Sequence, residues 1–152
     1  MSNLDESVRS FLGRTCLALD DENYTEFLRH CGSDFAYQVT AFSDELRKEM
    51  VWLEQDRSGF EALIKMLPQH VRMAGRFNRQ AAPAKVTLNN GNLEVVSQLA
   101  MFHTNLDGDT RLLLVGRYID QLKQRDGEPL VLTRRVVRLD TRNLREGMHA
   151  PI

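Results

Sequence analysis

The chain has 152 residues and a net charge of −1, with 20 basic and 21 acidic side chains spread along its length. This size is typical of one domain with a sizeable core, so we expect a single domain over residues 1–152. No basic stripe, basic amphipathic helix or bilayer-length apolar run is present, which argues against nucleic acid and membranes as partners. The acidic, polar N-terminus predicts a cytoplasmic protein.

The cysteine pattern also indicates a reducing compartment. Cys16 and Cys31 form no CxxC pair, and two cysteines are too few for a disulfide framework. We interpret both as reduced thiols that are packed as small apolar groups.

Two amphipathic helices are predicted before the first strand. Apolar side chains recur at three- and four-residue steps over Asn3–Leu19, which is the spacing of one helix face. A short second helix is expected to begin at Asp20 or Asp21, because aspartate is a favoured helix cap.

A third helix is predicted over Gly59–Leu67, capped by Ser58 and ended by Pro68. The stretch that follows it, Gln69–Ala82, shows no periodicity and is interpreted as a long loop that becomes ordered against a partner. Its basic residues are Arg72, Arg76 and Arg79.

Strands are predicted from alternation and from turn signals. The first two candidates are Phe35–Phe42, whose side chains alternate between two faces, and Glu49–Leu53 around the single tryptophan, Trp52. Four further strands are separated by Asn-Gly or Asp-Gly turns and are expected to form a meander. These four are Pro83–Asn89, Leu93–Thr104, Arg111–Gln124 and Pro129–Thr141.

Helices followed by a long antiparallel sheet predict an α+β domain in which the helices pack on the concave face of a strongly bent sheet. Gly116 is a candidate for the bend. The strand over Arg111–Gln124 carries polar residues on both faces, since Arg117 and Asp120 lie on opposite sides of it. Such a sheet either lines a pocket or contacts another protein.

Sequence signatures of metal and nucleophile chemistry are absent. No two histidines form an HxxxH or HExxH motif, and CxH followed by CxxH, the signature of a Rieske cluster, does not occur. A glycine-rich phosphate loop and a GxSxG nucleophile motif are also missing. We therefore expect no metal, cofactor or nucleophile site in this chain.

One arrangement of side chains leaves catalysis open. Tyr37, His103, Tyr118 and Asp120, with Asp34 nearby, could converge inside the sheet as a general acid–base site. In the structural alternative, His103 lies in solvent at a strand end and Asp120 pairs with a neighbouring arginine. The tyrosines then pack with their hydroxyls bonded to the backbone.

Three stretches, taken in order, resemble a known family. They are VWLEQDRSGFEALIKML (51–67), GRYIDQL (116–122) and RRVVRLDT (134–141), preceded by two helices and FAYQVTAF (35–42). They are similar to motifs of the small, or beta, subunits of Rieske-type ring-hydroxylating oxygenases. Many relatives have Arg-His where this chain has Arg79-Gln80, so a role for that histidine does not carry over.

The resemblance implies a cone of the nuclear-transport-factor-2-like (cystatin-like) type and a non-catalytic structural role. It implies a large alpha subunit that holds a Rieske 2Fe-2S cluster and a mononuclear Fe(II), with three of each subunit in a hetero-hexamer. The substrate would be aromatic or another small organic molecule such as an alkanesulfonate. Two alternatives remain, namely a stand-alone cone-fold isomerase, dehydratase or binding protein and a homo-oligomeric scaffold.

A permanent subunit contact is expected to centre on aromatic and arginine side chains. Arg134, Arg135 and Arg138 could instead form an anion site, and Trp52 could be a core residue. The residues that we predict at a subunit interface are Trp52, Arg57, Arg72, Arg76, Arg79, Arg117, Arg135 and Ile152.

Overall fold

The computed structural model describes residues 3–69, 73–144 and 151–152. The helices are α1 (Asn3–Asp20), α2 (Tyr24–Arg29) and α3 (Arg57–Met66), and a 3₁₀ turn at Leu67–Gln69 follows α3. The strands are β1 (Cys31–Ser43), β2 (Lys48–Asp56), β3 (Arg76–Asn89), β4 (Asn92–Thr104), β5 (Thr110–Lys123) and β6 (Val131–Leu139). Within these ranges no helix is both long and apolar enough to cross a bilayer.

All six strands form one sheet in the order β2-β1-β6-β5-β4-β3. Strands β3 to β6 make the predicted antiparallel meander, and the sheet is completed where β6 pairs in parallel with β1. The predicted turn glycines between these strands all have positive φ, which a tight turn requires. Residues far apart in sequence, such as Tyr37 and Arg135, thereby become neighbours.

The core lies between the three helices and the inner face of the sheet. Strand β4 shows the alternation best, because every second side chain from Leu93 to His103 is buried. Helix α1 covers this face with Val8, Phe11 and Leu12, all of which are buried. The predicted α+β class, with helices on one face of a curved sheet, is confirmed.

The sheet bends because its long strands are interrupted by register shifts. The unusual length predicted for the last three strands is confirmed for β4 and β5, which contain 13 and 14 residues, but is wrong for β6, which contains 9. Strand β3, at 14 residues, is longer than predicted. Shifts occur at Val39/Thr40, Pro83/Lys85, Met101/Phe102 and Gln121/Leu122, and each adds local twist.

The interpretation of Gln69–Ala82 as a loop was wrong from Arg76 onward, where β3 begins. Strand β3 lies at the edge of the sheet, where a proline such as Pro83 is tolerated next to a bulge. Its inward positions include Phe77 and Arg79, and an arginine at an inward position hid the alternation.

Two predicted helix caps were also wrong. The cap of α2 is Asn23, whose side chain accepts a hydrogen bond from the Glu26 amide, while Asp20 still belongs to α1. The cap of α3 is Asp56, whose carboxylate accepts from the Gly59 amide at 2.8 Å, instead of Ser58. In both cases a polar residue slightly earlier or later in the chain has the right distance to the free amide.

Candidate functional site

A buried ion pair occupies the inner face of the sheet. Asp120 on β5 and Arg135 on β6 are direct cross-strand partners, and both are fully buried. Arg135 Nε and Nη2 donate to the two Asp120 carboxylate oxygens at 2.8 and 2.9 Å. This two-point geometry is the strong form of an arginine–carboxylate contact. The predicted pairing of Asp120 with a neighbouring arginine is confirmed.

Aromatic rings enclose the Arg135 guanidinium. Its central carbon lies 3.8 Å from the centre of the Tyr118 ring and 5.9 Å from that of Phe27, which adds cation–π attraction. Burial raises the pKa of Tyr118 far above its ordinary value, so its phenol stays protonated. The Tyr118 hydroxyl and the Ser97 hydroxyl are buried with no hydrogen-bond partner among the described residues.

This cluster is poorly suited to acid–base chemistry. Both oxygens of Asp120 already accept hydrogen bonds from Arg135, and the side chain is fully buried, so the carboxylate is not within reach of a substrate. Its charge and that of Arg135 cancel. The geometry supports a structural role, because the pair joins β5 to β6 on the inner face of the sheet.

The mouth of the sheet is occupied by the chain's own tail. Ile152 donates its amide to the Tyr37 hydroxyl at 2.9 Å, and Arg79 Nη2 donates to the Pro151 carbonyl at 2.7 Å. Arg79 also forms an ion pair with Asp20 at 2.7 Å. Burial raises the pKa of Tyr37 to about 12 and raises that of Asp20, although Arg79 opposes the shift at Asp20. The predicted backbone bonding of the tyrosine hydroxyls is confirmed for Tyr37 but is wrong for Tyr118, whose buried hydroxyl has no partner among the described residues.

The fourth residue of the hypothetical catalytic site lies elsewhere. His103 is on β4, eight residues beyond Val95, which is the cross-strand partner of Asp120. At about 3.3 Å per residue, this separation is roughly 26 Å along the strand. The sheet therefore brings together Tyr37, Tyr118 and Asp120, but not His103.

The expectation that His103 lies in solvent was wrong. It is only 6% exposed, and its Nε2 lies 2.8 Å from the Ala74 carbonyl oxygen. The Phe77 ring, with its centre 5.1 Å away, covers the imidazole. The start of β3, which the sequence did not reveal as a strand, supplies this cover.

Several residues predicted at an interface are instead inside the protomer. Arg79, Arg135 and Ile152 are buried, so they do not present a surface for direct contact, and this part of the prediction is corrected. Arg57 is half-buried and its Nη1 donates to three main-chain carbonyls, which ties α3 to the turn between α2 and β1. Arg72 lies outside the described residues.

The remaining predicted interface residues are exposed. Trp52 on the edge strand β2 is 44% exposed, and Arg76 and Arg117 are also on the surface. Arg117 belongs to the outer face of the sheet, opposite the face that the helices cover. We define the outer patch of this face as Val96, Ala100, Arg117, Ile119, Val136 and Arg138.

The outer patch combines four apolar side chains with two arginines, and Gln98 of β4 lies opposite Arg117. Ile119 lies between Val96 and Val136 on the neighbouring strands, and Arg117 lies directly opposite Arg138. Two like charges in directly opposed positions repel each other. Arg138 also forms a long ion pair with Glu49, at 3.5 Å.

Comparison with known proteins identifies the family. A family model described as "Ring hydroxylating beta subunit" matches residues 14–146. The chain belongs to this ring-hydroxylating beta subunit family. The predicted resemblance is thereby confirmed over most of the sequence.

Two relatives extend this assignment. The beta subunit of 2-aminobenzenesulfonate 2,3-dioxygenase from an Alcaligenes species is 35% identical, with 96% of this chain and 97% of that one covered. The hydroxylase beta subunit of methanesulfonate monooxygenase from Methylosulfonomonas methylovora is 32% identical, with 97% and 86% covered. This beta subunit is therefore similar over nearly its whole length to subunits of a dioxygenase and of a monooxygenase.

Solved structures agree on the fold. The crystal structure of the beta subunit of a candidate aromatic-ring-hydroxylating dioxygenase from Novosphingobium aromaticivorans matches with a TM-score of 0.82 at 21% identity. The match covers 98% of this chain and 97% of that one. The predicted cystatin-like cone is confirmed.

Metal ligands are not clustered in the described parts of this beta subunit. Within residues 3–69, 73–144 and 151–152, no group of three or more His, Cys, Asp or Glu side chains could hold a metal ion. Burial raises the pKa of Cys31 to about 12 and also raises that of Cys16, so both thiols stay protonated. This protonation state does not favour metal binding, which uses the thiolate.

Sequence reasoning missed the roles of Arg79 and Arg135, although a signal existed for the second. In the strand pattern of β6, Arg135 alternates with the inward residues Val137 and Leu139. Asp120 likewise alternates with Tyr118 and Leu122 on β5. Opposite charges at inward positions of one hairpin indicate a buried pair. No comparable sequence pattern indicates the contact between Arg79 and Pro151, which are 72 residues apart.

Proposed function

We propose that this beta subunit is the non-catalytic structural subunit of a Rieske non-haem iron oxygenase and assembles with a catalytic alpha subunit. The observation that carries the proposal is the filled interior of the sheet. A stand-alone cone-fold enzyme needs an open pocket there. In this chain the Asp120–Arg135 pair, the Tyr118 ring and the tail residues Pro151 and Ile152 occupy that space.

The cofactors then belong to the partner. The alpha subunit would hold the Rieske 2Fe-2S cluster, whose ligands are two cysteines and two histidines, and the mononuclear Fe(II). Three alpha and three beta subunits would form the complete cytoplasmic oxygenase. The names of both relatives include a sulfonate, so we propose small organic sulfonates as the first substrates to test with the complex.

The outer patch is our candidate for the assembly surface, together with Trp52 and Arg76. Apolar side chains with arginine anchors are typical of the centre of a protein interface. The repulsion between Arg117 and Arg138 in the isolated chain is relieved if a neighbouring subunit places a carboxylate against them.

Charge reversal at Arg117 tests this proposal. We expect Arg117→Glu to abolish or strongly weaken the complex with a co-expressed alpha subunit, as measured by native mass spectrometry. The isolated variant should be no less stable, because the introduced carboxylate would face Arg138 as an opposite charge. Arg125→Glu, in the exposed turn before β6, is the matched control and should leave assembly unchanged. An intact complex with Arg117→Glu would contradict the outer patch as the assembly surface.

A further inference from the structure

Pro151 and Ile152 lie in a site formed by distant parts of the chain. Both residues are buried, although they are far in sequence from the groups that hold them. Tyr37 of β1 and Arg79 of β3 contact them through hydrogen bonds. Three other strands separate β1 from β3 in the sheet.

The polar half of this site recognises main-chain atoms. Arg79 Nη2 donates to the Pro151 carbonyl, and the Tyr37 hydroxyl accepts from the Ile152 amide. Tyr37 also lies 3.4 Å from the Ile152 main-chain oxygen, to which its hydroxyl donates. The arginine is held in place before any tail contact, because Asp20 binds both its guanidinium and its backbone amide. A preorganised donor of this kind loses little freedom on binding.

The apolar half recognises an aliphatic side chain. Ile152 is part of the buried hydrophobic cluster. The ring of Tyr37 is fixed by Phe60, with ring centres 5.1 Å apart, and by Phe35 at 6.5 Å. The Tyr37 ring therefore has packing partners of its own and does not depend on the tail for its position.

We propose that Tyr37, Arg79 and the adjoining core form a peptide-binding site at the mouth of the cone, and that residues 151–152 are its resident, displaceable occupant. The ligand class is a short amide in which a carbonyl precedes an N–H that carries a branched aliphatic side chain. When the tail leaves, the same site accepts such a ligand in trans. This role goes beyond the structural function proposed above and does not depend on it.

A truncated chain that lacks residues 151–152 tests the site directly. The probe is N-acetyl-Pro-Ile-amide, and its binding is measured by isothermal titration calorimetry. The truncated chain is expected to bind the probe at one site per chain, and the full chain is expected to bind it at least tenfold more weakly, because its own tail competes. N-acetyl-Pro-Asp-amide is the matched control probe and should not bind the apolar half. Equal binding to both chains, or no binding to a folded truncated chain, would overturn the proposal.

A second measurement uses the full-length chain and does not require the truncated chain to fold. Hydrogen exchange at the Ile152 amide should be at least tenfold slower than in an unstructured peptide. Tyr37→Phe removes the acceptor and should restore fast exchange at Ile152, while the amide of Val95 in the middle of the sheet stays protected. Fast exchange at Ile152 in the unmodified chain would show that the tail does not occupy the site.

Discussion

Asp120 and Arg135 place two full charges in the interior of the protein, where neither touches solvent. Removing both from water costs several kcal/mol for each ion, and their attraction repays this cost only with good geometry. The two short hydrogen bonds between them provide that geometry. The intact pair is therefore close to neutral for stability, but a single remaining partner would be an uncompensated buried charge.

Asp120→Asn tests this asymmetry. We expect the free energy of unfolding to fall by about 3–5 kcal/mol in urea denaturation, because Arg135 loses its counter-charge. The double variant D120L/R135M removes both charges and should recover much of the loss. Asp126→Asn in the exposed turn is the control and should change stability by less than about 0.5 kcal/mol. A small effect of Asp120→Asn would mean that water reaches the pair.

The buried thiol of Cys31 predicts a loss of stability at high pH. Burial raises its pKa from 9.0 to about 12, so between these values the folded chain keeps a proton that the unfolded chain releases. The free energy of unfolding then decreases as pH rises above 9, by up to about 1.4 kcal/mol per pH unit from this group. Urea denaturation between pH 8 and 10 measures the slope. Cys31→Ala should give a smaller slope, and an equal slope would show that other groups dominate.

Single residues were predicted well where their partners are local. The pairing of Asp120 with an arginine was predicted, although Arg135 itself was assigned to an interface, and the burial of both cysteines followed from their apolar character. The positions of Arg79 and His103 could not be predicted. Both depend on β3 and on contacts between distant segments, which sequence spacing does not encode.

At the level of elements, the backbones of β5 and β6 lie close together at Gly116. A methyl group at this position would collide with the carbonyl oxygen of Arg138 on β6. Gly116 was predicted as a bend, and the structure adds that the neighbouring backbone leaves no space for a side chain. Glycine is the residue that permits such an approach.

Gly116→Ala is therefore expected to destabilise the protein by about 1–3 kcal/mol, the usual cost of forcing extra volume into a packed site. Thermal unfolding followed by circular dichroism measures the change. Gly13→Ala is the matched control, because Gly13 lies on the exposed face of α1 with open space around it. Alanine there should stabilise the helix by up to about 1 kcal/mol. A neutral Gly116→Ala would show that the strands can separate locally.

The helices and the central strands could be predicted from the sequence, because each of their faces is uniform in polarity. Helix α1 was predicted to within one residue, and β4 and β5 nearly as well. The first half of β3 was not predicted as a strand, because an edge strand is half exposed and because Arg79 occupies an inward position. Edge strands carry the least periodic information, so they are the elements that pattern reasoning finds last.

At the scale of the whole molecule, polar groups lie on both faces of the sheet for different reasons. Asp120 points inward and is neutralised by Arg135, whereas Arg117 points outward. The sequence showed that these residues lie on opposite faces, but only the position of the helices reveals which face is inside. The inner face is filled and the outer patch is free to contact another subunit, which is the arrangement expected for a structural subunit.

The most direct test of this account is the iron content of the purified chain, measured by inductively coupled plasma mass spectrometry, alone and after co-expression with an alpha subunit that contains CxH and CxxH. We expect negligible iron and no oxygenase activity for the chain alone. We expect iron, Rieske absorption and activity for the complex, at equal numbers of the two subunits. Stoichiometric iron or activity in the chain alone would contradict this account.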